Sequence, residues 1–180
     1  MILVINICKD KLSEIEFVRP VQMIVKRAGF SCFIKHYTEL YEEDIEEADK
    51  IIICGTALQD FDYLENITKF EWIKNCKKPI LGICAGMQII GKTFGCEIYD
   101  NENIGQADVK TSSQNDLTDE DEFYAYFLNN KTIKVSKDFE VLVRGKEVEG
   151  MIKHKSKRIW GTLFHPEVMN SDILVRFCEL

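Results

Sequence analysis

Histidine is scarce in this chain of 180 residues: only His36, His154 and His165 occur. Chemistry that needs an imidazole therefore has few places to sit. Basic residues are in deficit, 23 Lys and Arg against 30 Asp and Glu, giving a formal charge of −7. That balance argues against general nucleic-acid binding, which needs a basic surface to displace counterions. Long apolar runs are missing, so no segment suits a membrane span. The opening MILVINICKD is apolar but too brief for a signal peptide, has no basic leader, and reads as a first strand. The expectation is a cytoplasmic protein. No C-x-x-C pair exists among the seven cysteines, and an odd, scattered set fits neither a disulfide framework nor a zinc site. Most read as small buried apolar residues, with one available as a nucleophile and no metal site expected.

What is present is one domain's worth of alternating elements, spanning residues 1–180. Apolar runs at Ile2–Ile7, Cys32–Tyr37, Lys50–Cys54, Pro79–Ile83 and Trp160–Phe164 read as strands. Helical patterns alternate with the first four, over Glu14–Ala28 and Asp62–Asn75 between them and over Gly86–Phe94 after the fourth, with Pro20 expected to start or bend the first. Strands alternating with helices predict an α/β fold: an open, mostly parallel sheet with helices on both faces. After Cys96 the texture changes to short strands at Ile98–Tyr99, Ala107–Val109, Phe123–Phe127, Thr132–Val135 and Phe139–Arg144, a smaller antiparallel section. The run Ser112–Glu122 reads as an acidic surface loop, and Ser171–Glu179 as a final helix.

Two signatures overlap in LGICAGMQIIGKT, Leu81–Thr93. Gly86 to Thr93 fits G-x-x-x-x-G-K-[ST], the phosphate-cradling P-loop. That loop needs a flexible interior and a sizeable helix starting at the Lys-Thr pair. Here the interior is Met-Gln-Ile-Ile, which favours burial, and only Phe94 separates Thr93 from Gly95. A nucleotide binder is thus the remote reading. Gly82-Ile83-Cys84-Ala85-Gly86, in contrast, fits a nucleophile elbow with cysteine in place of serine. An elbow needs a buried strand, a tight turn bearing the nucleophile, and a helix, with small residues flanking the turn so that backbones approach closely. PILGI and AGMQIIGKTF supply the strand and the helix. Cys84 would then stand at a helix N-terminus, an electropositive position that suits a nucleophilic sulfur.

A cysteine nucleophile needs a base and a group to orient it. His36 ends a strand pattern, and His154 lies in KHKSKR, where a solvated residue is the plain reading. His165 follows the buried pattern WGTLF and stands in FHPE. Residues two apart on an extended segment project to one side, so Glu167 can orient His165, with Pro166 stiffening the link. Cys84 and His165 both lie at strand ends, where open parallel sheets build their sites.

GICAGMQ together with FHPEV resembles the class I, or triad-type, glutamine amidotransferases, and the likeness runs nearly the whole chain. It implies that fold (flavodoxin-like), and hydrolysis of the side-chain amide of L-glutamine through a γ-glutamyl thioester. By the same likeness Cys84 is the nucleophile, His165 the general base and acid, and Glu167 its partner; no cofactor is implied. Ala85 N–H would give one oxyanion-hole donor. The family takes its second donor from a loop that is usually Gly-Gly-Pro; here Cys54-Gly55-Thr56 stands there, which leaves Gly55 as the counterpart. Gln88, one helical turn after Cys84, matches a family glutamine that holds substrate. In place of the family's Ser-His-Gly or Asn-His-Gly segment stands FLNNKT, where Asn129 is the candidate substrate contact. With no synthetase domain in the chain, the ammonia is expected to serve a separate ATP-dependent synthetase subunit. The ending VEGMIKHKSKRIWGTLFHPEV looks most like the free-standing glutaminase subunits that serve GMP synthetase. A γ-glutamyl hydrolase, or a catalytically silent relative with a binding role, is the second reading.

Overall fold

A computed structural model describes residues 1–180. Its nine strands are β1 (Ile2–Asn6), β2 (Cys32–His36), β3 (Lys50–Ile53), β4 (Ile80–Ile83), β5 (Glu97–Thr111), β6 (Glu122–Lys134), β7 (Phe139–Arg144), β8 (Glu149–His154) and β9 (Ile159–Thr162). They form one sheet in the order β2-β1-β3-β4-β9-β8-β7-β5-β6. The first five in that order pair in parallel, and the remainder are antiparallel. The antiparallel section is therefore an extension of the parallel core, joined to it through β8 and β9.

The helices are α1 (Lys11–Phe17), α2 (Arg19–Arg27), α3 (Glu42–Glu47), α4 (Asp62–Glu65), α5 (Ala85–Thr93), α6 (Pro166–Met169) and α7 (Ser171–Glu179). The crossover from β1 to β2 runs one way along the sheet and that from β3 to β4 the other. Right-handed crossovers then place their helices on opposite faces. Packing agrees: α2 contacts α1, α6 and α7, while α5 contacts the 3-10 segment Ile67–Lys74. None of the helices is long and apolar enough to cross a membrane.

The central strands form because their side chains are apolar on both faces. Ile51, Ile52, Ile53, Ile80, Leu81 and Ile83 are all wholly buried. Each such side chain contributes roughly 1.5–3 kcal/mol relative to exposure. Pro20 has the effect expected of it. With no N–H to continue a helix it sits in the first turn of α2, and the expected 14–28 helix divides at Val18. Asp10 caps α1 by accepting the Leu12 N–H at 2.8 Å, so that helix starts at Lys11.

Four expectations are corrected. The helix over 62–75 breaks after Glu65, where the Asn66 side chain bonds the Asp62 carbonyl (2.9 Å) and competes with the helical ladder. Four of the short strands after Cys96 merge into a long hairpin of β5 and β6, bulged between Asp100 and Asn103, while Phe139–Arg144 stands as expected as β7. The run 112–122 is not all surface, because Leu117 and Thr118 are buried, with both N–H groups donating to Asn115 Oδ1. His154 is not solvated. It ends β8, 7% exposed, with its ring 4.6 Å from Phe94 and 5.1 Å from Phe139.

Candidate active site

The site begins with a backbone conflict at the end of β4. Cys84 has φ 51° and ψ −104°, the only non-glycine residue with positive φ. Such a conformation costs on the order of 1–3 kcal/mol and persists only where its surroundings hold it. Here the Cys84 N–H donates to Thr162 O at 2.6 Å, and Cys84 O accepts the first helical bond of α5 from Gln88 N–H at 3.1 Å. The flanking glycines make the turn possible. A Cβ on Gly82 would lie 2.4 Å from the Gly86 carbonyl group, and one on Gly86 only 2.3 Å from Ile53 O. Gly86 to Thr93 are helical, with Met87, Gln88, Ile89 and Ile90 buried, so the P-loop reading is overturned.

Strand order brings the second group alongside. β9 pairs directly with β4, with Ile83 opposite Thr162, so the chain leaving β9 emerges next to Cys84. His165 is fixed there by its N–H donating to Tyr126 O (2.8 Å) and by Phe17, whose ring lies 5.7 Å away. Its Nδ1 is 2.7 Å from Glu167 Oε1, both side chains being 2% exposed. The local route to this pair differs from the expected extended segment. Only His165 is extended; Pro166 opens α6, and Glu167 reaches back from its first turn. The other ring nitrogen, Nε2, is buried without a hydrogen-bond partner.

Burial pulls the pKa of His165 down, but the Glu167 carboxylate and then Cys84 outweigh it and hold the imidazole well above its ordinary value. The Cys84 thiol itself points to Leu128 O at 3.5 Å. Gly55 completes the corner: a Cβ there would stand 2.8 Å from His165 Cε1 and 3.5 Å from Cys84 Cβ. Its N–H has no acceptor within the protein. Ala85, buried, is the first residue of α5, where helix N–H groups lack intrahelical acceptors. The structure thus brings Cys84, Ala85, His165, Glu167 and Gly55 to one place.

Gln88 and Asn129 line the same cleft, together with Thr56, Leu58 and Tyr63. Gln88 is held at both ends, accepting from Tyr63 OH (2.6 Å) and donating to Lys131 O (2.9 Å). Asn129 donates to Asn101 O (2.9 Å), while its Oδ1 is buried without a partner. The cleft is tight, with about 10 Å³ open to a water-sized molecule. Asn130 bridges it to Leu58 O at 3.0 Å, and the Lys131 ammonium lies 5.0 Å from the Phe61 ring centre. Sequence reasoning missed Tyr63, Asn130 and Lys131, whose roles arise from pairing across the sheet and leave no local pattern. No group of three or more His, Cys, Asp or Glu side chains is arranged to hold a metal.

Comparison with known proteins gives the family and the fold. Residues 15–174 match the family model "Glutamine amidotransferase class-I". The chain is 33% identical over 178 residues to the glutamine-hydrolyzing GMP synthase subunit of Methanocaldococcus jannaschii, covering 92% of both chains. It is 32% identical over 176 residues to the protein of the same name from Methanococcus maripaludis, covering 91% of each. Among solved structures, a provisionally assigned GMP synthase subunit from Thermoplasma acidophilum superposes with a TM-score of 0.88 at 21% identity, covering 99% of this chain and 92% of the other. That last likeness is one of fold.

Proposed function

From the premise that the chain belongs to the class I glutamine amidotransferases, an enzyme family, we propose that it is the glutaminase subunit of a two-subunit GMP synthetase. On this reading it hydrolyses glutamine and passes ammonia to a separate ATP-dependent synthetase subunit. The observation that carries the reading is the strained Cys84 turn facing the buried His165–Glu167 pair. The relatives are similar over more than nine-tenths of their length and are named as one subunit, which supports a second, synthetase subunit.

The steps follow from the groups in place. Cys84 sulfur attacks the carboxamide carbon of glutamine, and its proton passes to His165 Nε2, the ring nitrogen left free by Glu167. Negative charge gathers on the amide oxygen, where the Ala85 and Gly55 N–H groups meet it. Each such donor is worth about 10²–10³ in rate. His165 then gives the proton to the departing nitrogen, the C–N bond breaks, and ammonia leaves a γ-glutamyl thioester on Cys84. Water attacks that carbonyl, giving its proton to His165. The C–S bond breaks, glutamate leaves, and the sulfur recovers the proton. Gln88 and Asn129 hold the amino-acid end of the substrate; the unpartnered Asn129 Oδ1 suits an ammonium donor.

The test pairs this chain with its synthetase and measures glutamine-dependent amination of the nucleotide. Cys84→Ala is expected to abolish that activity while leaving synthesis from added ammonium intact. Failure of a glutamine-derived diazoketone to label Cys84, with the synthetase present, would refute the reading.

A further inference from the structure

The loop after β3 lacks the stiffness that Gly-Gly-Pro would give it, yet its conformation is closely tied. The tie is Asp60. Its Oδ2 accepts the Lys9 N–H at 2.8 Å and the Thr56 hydroxyl at 2.6 Å, while Oδ1 accepts the Asp62 N–H at 3.2 Å. One carboxylate thus joins the start of the loop, its end, and the segment that leaves β1. From the other side, the Cys8 thiol donates to Gly55 O at 3.7 Å. Cys8 is in turn held by its N–H on Asn6 Oδ1 (2.8 Å) and by His36 Nε2 against its carbonyl (3.1 Å). Between the two ties lie the Gly55 and Thr56 N–H groups, neither with an acceptor in the protein. A proline at 56 would have had no N–H there.

We propose that Asp60 is the positioning residue for the oxyanion loop, fixing Thr56 and Gly55 so that the Gly55 N–H meets the amide oxygen on which charge gathers when Cys84 attacks. This rests on the glutaminase reading above. Asp60 borders the cleft, but both its oxygens are taken up by Lys9, Thr56 and Asp62, so it acts through Thr56 and Lys9. The role of a rigid imino acid in the backbone is taken over by a side-chain carboxylate with three donors.

The test uses the chain in complex with its synthetase. Asp60→Asn keeps the side-chain shape but replaces one acceptor oxygen with a donor. It is expected to lower kcat for glutamine roughly 10- to 100-fold, as small misplacements of catalytic groups do, with KM within about twofold and ammonium-dependent synthesis unchanged. Alkylation of Cys84 by iodoacetamide, followed at that residue by peptide mass spectrometry, forms no oxyanion and should stay within about twofold of wild type. Thr56→Val, which removes only the hydroxyl, is expected to show the same pattern more weakly. An unchanged kcat in Asp60→Asn, or alkylation falling in parallel with kcat, would overturn the assignment of Asp60 alone. If the wild-type complex hydrolyses no glutamine, the glutaminase reading falls and takes this one with it.

Discussion

Gly82 and Gly86 face one another across the Cys84 turn so closely that a Cβ on the first would lie 2.4 Å from the carbonyl carbon and oxygen of the second. The obstacle is backbone, which cannot swing aside. Gly82→Ala and Gly86→Ala are therefore expected to destabilise the fold by at least the roughly 1–3 kcal/mol typical of overpacking, and to displace Cys84. Gly161→Ala makes a useful contrast. Its nearest atoms are those of the Met87 side chain, at 2.8 and 3.0 Å, with the Met87 Cα at 3.3 Å, and an unbranched thioether repacks more readily. Urea unfolding should rank Gly161→Ala nearest to wild type; equal losses in all three would refute the steric account.

Glu167 sets the charge of His165. With the carboxylate gone, burial is left as the main influence and favours the neutral ring. Glu167→Gln is therefore expected to move the His165 titration downward, seen by NMR of ring-labelled protein. Glutamine turnover should fall by about 10²-fold or more, since the ring loses both orientation and the charge that stabilises imidazolium. A His165 titration that does not move would contradict the pairing.

Legibility in the sequence followed locality. The strands Ile51–Ile53 and Ile80–Ile83 announced themselves because burial on both faces demands unbroken apolar runs. The Cys84 elbow was readable because its glycines answer to sterics within five residues. His165 and Glu167 were readable as a pair, although α6 brings them together by a different local geometry. The strand β8 was not, since Lys153 and Lys155 surround His154 with charge. In the fold the Lys153 ammonium lies over Trp160, 5.2 Å from the ring centre, while Met151 and Ile152 are buried. Asp60 was silent because its partner Lys9 lies 51 positions away. A contact of that range is set by strand order, and no short pattern encodes it.

Alkaline pH should weaken the fold through its buried thiols. Burial pushes Cys8 from 9.0 up to about 11 and Cys178 likewise to about 11. A group whose pKa is raised by folding stabilises fully below its unfolded value and ceases to do so as pH climbs through the folded one. The window is thus 9.0 to about 11 for both cysteines. Each contributes on the order of 2 kcal/mol of loss across it. His165, also raised, begins to withdraw its share at lower pH. Urea midpoints measured under reductant should fall between about pH 9 and about pH 11, and Cys178→Ala should flatten part of that slope.

The bridge between Asn130 and Leu58 should act on substrate entry. With about 10 Å³ open to a water-sized molecule, the cleft admits about one water, and a glutamine side chain enters only when the loop and β6 part. Parting them breaks the Asn130–Leu58 hydrogen bond and draws the Lys131 ammonium off Phe61. A closed state favoured by such contacts reduces apparent affinity by the fraction of molecules that are open. One hydrogen bond is worth about 0.5–1.5 kcal/mol net, so Asn130→Ala is expected to lower KM for glutamine by roughly 2- to 10-fold, with kcat little changed. Labelling of Cys84 by the glutamine-derived diazoketone should accelerate by a similar factor. A raised KM would instead mean that Asn130 contacts the substrate, and the bridge would then be part of the binding site and not its closure.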